Sequence, residues 1–326
     1  MRFLATLIVL AWGSSVGAAA AALAVVAVPI ADLRSEPSLP SPGMSDDKEE
    51  TQLLFGESIE VYESSGDWVR VEAVEQPSFK YHQRWEGYPG WILKSALWTD
   101  VNTLDFNYVV TQKWLPVLNA PGGTPLRQLP LGARVQVVVS TQPALVPQGA
   151  EAWKEISLPG KGTGWVNSLG LKKWPAALPP AERRDRILRT AALLIGDPYV
   201  WGGRSPFDTT HQAPLSGMDC SGLVQLSYAV NGVTIPRDSL EQYMKAQKIS
   251  RRELAPADLI FSASLDNPAK IIHVMLYAGG GMVLEAPKTG LTVRQISFKE
   301  KTGYDLGAVE SGQALKDRVI YFGRLL

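Results

Sequence analysis

The sequence is poor in cysteine and histidine and has no excess of charge of either sign. Its single cysteine excludes an intrachain disulfide, and three scattered histidines argue against a zinc site made of cysteine and histidine. The 32 basic and 32 acidic residues give a formal net charge of zero. The chain therefore has no overall electrostatic attraction for nucleic acid or for an anionic membrane. Its glycine pairs lack the motifs of phosphate-binding and dinucleotide-binding loops, so neither a metal nor a cofactor is expected.

The composition is that of a folded protein with several domains. Of 326 residues, 45% are hydrophobic and 20% are charged, which excludes a disordered chain, a collagen-like fibre and a polytopic membrane protein. The length predicts two to three domains of about 150 residues each. The 29 glycines and 23 prolines indicate many turns, and hence many short strands.

The N-terminus has the pattern of a secretory signal peptide. Arg2 precedes the apolar run 3–12, and the small residues 18–22 follow it. We expect a signal peptide over residues 1–24, and a mature protein that is secreted or periplasmic. The candidate cleavage points follow Ala20, Ala22 or Ala24.

A retained membrane anchor is the alternative to cleavage. Residues 3–30 are almost continuously apolar, and about 20 such residues are enough to span a bilayer. However, the segment 25–34 ends in polar residues and is predicted to be the first strand of the mature protein. We therefore favour a signal peptide that is removed.

Two strand-rich segments, each of about 60–70 residues, resemble each other. In both, short alternating stretches are separated by Gly, Pro or Ser, and each copy ends in Gly90-Trp91-Ile92 or Gly164-Trp165-Val166. This last element resembles that of the bacterial SH3-like domain. Two copies are too few for a solenoid, so we predict two small SH3-like β-barrels, at residues 25–102 and 103–174.

Residues 175–326 are predicted to form an α+β domain. Apolar residues recur on one helical face over 187–195, and 219–228 has the same spacing. Asp238 has the sequence context of a residue that starts a third, short helix. The helices precede a series of strands instead of alternating with them, which excludes a parallel βαβ fold. The predicted strands are 258–262, 271–278, 282–286, 291–296 and 318–324.

Cys220 lies where a loop becomes a helix, which is a favourable position for a nucleophile. The unpaired N–H groups and the positive end of the helix dipole would stabilise its thiolate. His273, in the middle of a predicted strand, would act as the base, and Glu285 on the next strand would orient the imidazole. This is the papain-like arrangement for acyl transfer. The residues alone leave open the alternative of a buried, inert cysteine and a core histidine.

Three motifs in this order resemble those of the NlpC-type cell-wall cysteine peptidases. They are Tyr199-Val200-Trp201-Gly202-Gly203, Asp219-Cys220-Ser221-Gly222-Leu223-Val224, and His273-Val274 followed by Glu285-Ala286. The resemblance implies a papain-like fold and cleavage of the peptide stems of bacterial peptidoglycan. It also implies that Cys220 is the nucleophile, His273 the general base and then acid, and Glu285 the orienting group. The similarity extends to the subgroup with N-terminal SH3-like domains, which hydrolyses the bond between γ-D-glutamate and a diamino acid.

The same resemblance implies a pocket for a free N-terminal L-alanine. Asp238 and Glu57 would pair with the ammonium group, and Tyr88 would hydrogen-bond to it. The structural alternatives are an N-cap role for Asp238, a solvated turn for Glu57 and packing for Tyr88. The predicted substrate-binding residues are Glu57, Tyr88, Tyr199, Asp219, Ser221, Arg237, Asp238 and Ser239.

Two features depart from the family pattern. The third catalytic position is more often His, Asn or Gln, whereas Glu285 is expected to favour a thiolate–imidazolium pair while activity survives. The segment 205–218 is long and contains His211. Like His82, this exposed histidine is expected to have no role in the site.

These observations predict a cysteine peptidase that cleaves γ-D-glutamyl–diamino acid bonds. The expected partners are peptidoglycan stem peptides, and neither nucleic acid nor, apart from a retained anchor, a membrane. The chain is expected to be a monomer. Two other functions remain as alternatives: a catalytically inactive wall-binding module, and an amidase or acyltransferase on the same fold.

Overall fold

The computed structural model of the chain describes residues 22–39, 46–99, 105–138, 152–210 and 215–326. These ranges divide into two strand-rich regions and a C-terminal region of mixed helices and strands. No helix within the described ranges is both long and apolar enough to cross a bilayer.

The first region forms one antiparallel sheet of seven strands. The strands are β1 (Ala22–Val26), β2 (Ile30–Arg34), β3 (Glu49–Leu54), β4 (Ser58–Ser65), β5 (Trp68–Ser78), β6 (Glu86–Leu93) and β7 (Leu97–Trp98). Their spatial order is β3-β2-β6-β5-β4-β1-β7. In β5, Val69, Val71 and Ala73 are buried and alternate with more exposed residues, because one face of the strand lies on a core.

The predicted signal peptide and the strand predicted after it lie at the N-terminal edge of the described residues. The predicted signal peptide lies outside them except for residues 22–24, which belong to β1. There Ala24 is buried and pairs with Ile59. The prediction of one strand over 25–34 was wrong, since β1 and β2 are separate. The chain bends between them at Pro29, whose nitrogen cannot donate to a ladder.

The second region contains two smaller antiparallel sheets. The strands are β8 (Tyr108–Val110), β9 (Trp114–Leu118), β10 (Pro125–Pro130), β11 (Arg134–Val135), β12 (Trp153–Leu158), β13 (Gly162–Asn167) and β14 (Leu171–Lys173). They are ordered β10-β9-β13-β12 and β11-β8-β14. Val117, Ile156 and Val166 are fully buried in the shared core. Both strand-rich regions are consistent with the predicted SH3-like domains.

The C-terminal region packs helices against one antiparallel sheet. The helices are α1 (Pro180–Ala192), α2 (Cys220–Val230), α3 (Ser239–Lys245) and α4 (Phe298–Thr302). The strands are β15 (Gln247–Lys248), β16 (Leu259–Ser264), β17 (Ile271–Gly279), β18 (Met282–Glu285), β19 (Arg294–Ser297), β20 (Gln313–Ala314) and β21 (Arg318–Arg324). Their order is β15-β21-β16-β17-β18-β19, with β20 on β21. The predicted α+β character is thus present.

The two faces of this sheet pack against different cores. Phe261 and Val274 belong to a core that includes the apolar residues of α1 and α2. Ile260 and Met275, one residue away in each strand, belong to a separate core on the opposite face, as the two-residue period of a strand requires. Because α2 is buried from Ser221 to Val230, its N-terminus is held rigidly against the sheet.

Candidate active site

Cys220 is the first residue of α2, and two local features define that position. Asp219 is the N-cap, and its Oδ1 accepts a hydrogen bond of 2.6 Å from the backbone N–H of Gly222. The backbone of Gly203 approaches the same turn, where its carbonyl accepts the N–H of Asp219 at 3.0 Å. A Cβ on Gly222 would lie 2.3 Å from that carbonyl oxygen. Glycine is therefore needed at position 222 for the loop at Gly203 to approach the first turn of α2 this closely.

The thiol of Cys220 lies against β17. Backbone N–H groups of Val274 and Ser221 are within hydrogen-bonding reach of its sulfur and favour the thiolate. Burial acts in the opposite direction, as does the nearby carboxylate of Asp219, and together they raise the pKa of Cys220 to about 12. Desolvation thus opposes the stabilisation that the helix N-terminus would give a thiolate, and a resting thiolate stays a prediction.

His273 lies on β17, next to the residue that touches the thiol. Its side chain is buried, and its Nε2 is 2.8 Å from Oε2 of Glu285 on the neighbouring strand β18. Since Glu285 engages Nε2, the nitrogen left for the thiol is Nδ1. The structure therefore pairs His273 with Glu285 and places the Cys220 thiol against β17, the strand that carries His273; the catalytic roles of the three residues stay a prediction.

The charge of Glu285 is compensated by two cations. Arg294 donates to Oε1 through Nε at 3.0 Å and Nη2 at 2.9 Å, and Lys301 places its ammonium 2.5 Å from Oε2. Burial alone would raise the pKa of Glu285, but the hydrogen bond to His273 and the charges of His273 and Lys301 lower it to about 2. Glu285 is thus a fully buried carboxylate that remains ionised.

Lys301 and a further cation, Arg318, also shift the pKa of His273. Burial lowers its pKa, and the charges of Lys301 and Arg318 lower it further, against the raising effect of Glu285. The lowered pKa of His273 and the raised pKa of Cys220 both oppose the expected thiolate–imidazolium pair. Sequence reasoning missed Arg294 and Lys301. A signal existed for Arg294, because it pairs with Glu285 directly across β18 and β19.

Asp219, Ser221 and Arg237 form one internal network. Arg237 is fully buried and donates to both carboxylate oxygens of Asp219, at 3.0 and 2.7 Å. It also donates to Ser221 Oγ at 3.0 Å and to Thr51 Oγ1, on β3, at 2.6 Å. The donors and acceptors of these side chains are paired with one another. The network therefore stabilises the start of α2 and joins the first region to it.

Asp238 and Tyr88 meet in a polar cluster that we call the amine cluster (Glu50, Tyr81, Tyr88 and Asp238). The hydroxyl of Tyr88 donates to Glu50 Oε2 at 2.9 Å and lies 3.2 Å from Asp238 Oδ2. Tyr81 donates to Glu50 Oε2 at 2.7 Å. Asp238 occupies the N-cap position of α3, but its side chain makes no capping hydrogen bond. Its carboxylate instead faces the cluster.

Glu57 does not belong to this cluster. Its carboxylate is buried and forms a two-pronged ion pair with Arg204, at 2.8 and 3.1 Å, and it also accepts the N–H of Leu54 at 3.0 Å. The prediction that Glu57 pairs with a substrate ammonium was wrong, because a buried guanidinium already neutralises it. Sequence reasoning missed Glu50, whose Oε2 accepts the hydroxyls of Tyr88 and Tyr81 in this cluster.

The remaining predicted residues have simpler surroundings. Tyr199 is half-buried, and burial and the charges of Asp219 and Cys220 raise its pKa. Ser239 is the first residue of α3, next to Asp238. His82 is exposed and hydrogen-bonds to Glu86. His211 lies outside the described residues.

The fold and this geometry define a cysteine peptidase: a thiol at the start of a buried helix, against a strand that carries a histidine held by an acid. The NlpC/P60 family model matches residues 196–307, the segment that contains all three of these groups. The chain therefore carries an NlpC/P60 domain.

Relatives and a solved structure extend the similarity beyond that domain. A Bacillus subtilis protein named γ-D-glutamyl-L-lysine dipeptidyl-peptidase is 29% identical over 77% of this chain and 76% of its own length. A Bacillus cereus protein of the same name is 28% identical over 76% of this chain and 70% of its own length. The crystal structure of an NlpC/P60 family protein from Bacillus cereus superposes with a TM-score of 0.72, at 24% identity, covering 94% of this chain and all of that one. The strand-rich regions are thus part of a shared overall fold.

Proposed function

We propose that this protein hydrolyses the bond between γ-D-glutamate and a diamino acid in peptidoglycan stem peptides that have a free N-terminal L-alanine. The observation that carries the proposal is the pairing of the Cys220–His273–Glu285 site with an anionic cluster at Asp238. The first supplies the acyl-transfer chemistry, and the second supplies partners for an ammonium group. The names of the two Bacillus relatives support the same bond, because a dipeptidyl-peptidase removes two residues from a free N-terminus.

In this mechanism His273 acts first as a base. Its Nδ1 takes the proton of the Cys220 thiol as the sulfur attacks the carbonyl carbon of the γ-D-glutamyl bond. The backbone N–H of Cys220 donates to the oxyanion that forms. The imidazolium then protonates the departing amine of the diamino acid, and an acyl-enzyme remains. Water, deprotonated by His273, attacks that thioester and releases the L-Ala-γ-D-Glu dipeptide and the thiol.

Glu285 holds the imidazole during these steps. Its hydrogen bond to Nε2 orients the ring and leaves Nδ1 to act on the thiol. Arg294 and Lys301 offset its charge, so the resting imidazole stays neutral and ready to accept a proton. Because two cations offset the charge of Glu285, the net charge at this position is close to that of the neutral His, Asn or Gln that is more usual there.

The amine cluster selects the substrate's N-terminus. Two carboxylates and two phenol oxygens converge there, and an ammonium group needs such partners when it leaves water. A stem that is still attached to glycan has an amide nitrogen at its L-alanine, which has no charge to offer. The enzyme would therefore act on free stem peptides.

Analysis of the products by mass spectrometry tests the proposal. The protein is incubated with L-Ala-γ-D-Glu-L-Lys and with the meso-diaminopimelate analogue, beside a Cys220→Ala control of matched fold. We expect the dipeptide and the free diamino acid from the parent, and intact peptide from the control. No cleavage by the parent would support the inactive wall-binding module, and cleavage at another amide bond or acyl transfer would support the amidase or acyltransferase alternative.

The N-terminal segment completes the proposal. The small residues 18–22 and the apolar run before them favour a cleaved signal peptide and a secreted or periplasmic enzyme. Cleavage after Ala20 would leave β1 whole, whereas cleavage after Ala24 would remove residues that pair with β4. We therefore favour the first of the three candidate points. N-terminal sequencing of the secreted protein would test it.

A further inference from the structure

The amine cluster already contains an ammonium group, that of Lys80. Its Nζ lies 2.9 Å from Asp238 Oδ2, 2.6 Å from the Tyr88 hydroxyl oxygen and 3.4 Å from Glu50 Oε2. The same atom is 4.7 Å from the centre of the Tyr81 ring and 4.9 Å from that of Tyr88. Lys80 therefore contacts every member of the cluster that would receive a substrate ammonium.

The backbone of Lys80 is held in place from the C-terminal region. Glu241, buried in α3, accepts the N–H groups of Phe79 and Lys80 through Oε1, at 2.6 and 2.8 Å. The same oxygen accepts the hydroxyl of Ser78 at 3.0 Å. The helix that places Asp238 at its start thus also places Lys80 in front of it. This juxtaposition is built by two regions and does not arise from a freely moving surface side chain.

The charges around Lys80 stabilise its ammonium group in the cluster. Burial would lower the pKa of Lys80, but the charge of Asp238, its hydrogen bond and the charge of Glu50 raise it, so the ammonium stays protonated. The side chain is nevertheless 42% exposed, so it has room to leave towards solvent. A second ammonium bound to Asp238 and Tyr88 would lie within a few ångströms of the first, and like charges at that distance repel.

We propose that Lys80 is a specificity-determining residue that competes, as an internal ligand, with the N-terminal ammonium of the substrate for the amine cluster. This inference rests on the proposed function for the identity of the competitor. The apparent affinity for a free-amine peptide is lowered by the fraction of time that Lys80 occupies the cluster. A peptide without the charge has no affinity for the cluster, and Lys80 leaves its binding unchanged.

Binding to a protein that cannot turn over separates this inference from the cleavage reaction. The probe is the dipeptide L-Ala-γ-D-Glu, with its N-acetyl derivative as a control, titrated calorimetrically into the Cys220→Ala protein. Lys80→Met removes the competing charge while it keeps the length of the side chain. We expect it to tighten binding of the free dipeptide by about 3- to 10-fold, because a half-exposed ion pair is a modest competitor.

Two further variants make the result specific. Lys80→Arg keeps a cation and is expected to bind the free dipeptide as weakly as the parent does. Lys48→Met removes a lysine of the same region whose ammonium pairs with the exposed Glu36 at 3.5 Å, and should change nothing. The N-acetyl dipeptide should bind equally to all four proteins.

The outcomes distinguish the two proposals. Unchanged or weaker binding of the free dipeptide to Lys80→Met would overturn the competitor role, since it would make Lys80 irrelevant to the cluster or necessary for its shape. Cleavage of the tripeptide by the parent would in that case still stand as evidence for the proposed function. Tighter binding to Lys80→Met without any cleavage by the parent would retain the role of Lys80 and reject the peptidase.

Discussion

Replacement of Glu57 separates a structural role from a role in the substrate pocket. Glu57 and Arg204 are both buried, with no more than 2% of either side chain exposed, and they are joined by two hydrogen bonds at 2.8 and 3.1 Å. Glu57→Ala would leave a buried guanidinium without its carboxylate. Breaking a buried pair in this way costs about 3–5 kcal/mol. A protein's whole stability is only about 5–15 kcal/mol, so the loss should be conspicuous.

Urea denaturation measures this loss directly. We expect the midpoint for Glu57→Ala to fall by about 1 M or more, given a typical dependence of about 1–3 kcal/mol per molar urea. Arg204→Met should be destabilised similarly, since it leaves a buried carboxylate. The double variant Glu57→Leu/Arg204→Met should recover much of the loss, because apolar residues can replace a buried ion pair at little cost.

The preference for a free amine provides the second measurement. If Glu57 serves only to join β3 and β4 to the C-terminal region, Glu57→Gln should keep the parent's ratio of kcat/KM for free over N-acetylated peptide. Gln keeps one of the two acceptor oxygens, so Glu57→Gln should be destabilised less than Glu57→Ala. A variant of unchanged stability that lost the preference would refute this reasoning and restore Glu57 to the amine pocket.

Three other predictions concern the charges of the site. Glu50→Gln should reduce the preference in kcat/KM for the free over the acetylated tripeptide. A variant with the same ratio as the parent would remove Glu50 from the pocket. Iodoacetamide should alkylate Cys220 slowly at pH 7, because the pKa of the thiol is raised to about 12. The rate of alkylation should still rise above pH 9. A rate that reaches a plateau near neutral pH would show a resting thiolate. Lys301→Met removes a cation that lowers the pKa of His273, so the pKa of His273 should rise. The acidic limb of the profile of kcat/KM against pH should therefore move to higher pH. If that limb does not move in a folded variant, Lys301 does not compensate the charge of Glu285 in the way argued.

Much of the active site follows from local patterns. Asp219-Cys220 at a helix start, His273 within a strand and Glu285 on the next strand all follow from apolar periodicity, capping residues and short turns. These signals extend over a few residues, so they could be read without knowledge of the fold. Five strands after residue 257 were predicted for the same reason, and the observed ones differ by only a few residues at their ends, but the short β20 was missed.

The charge state and the partners of these groups were decided by the tertiary structure. Glu57 meets Arg204 across 147 residues of sequence, and Tyr88 meets Asp238 across 150, distances over which no periodicity carries information. The pKa of Cys220 depends on how much water the surrounding segments exclude, and a helix start predicts only one of the opposing contributions. The sequence thus determined which groups could react and on which elements they lie. Only the packing of distant segments determined which charges are neutralised, because Coulomb and desolvation energies depend on distance in space and not on position along the chain.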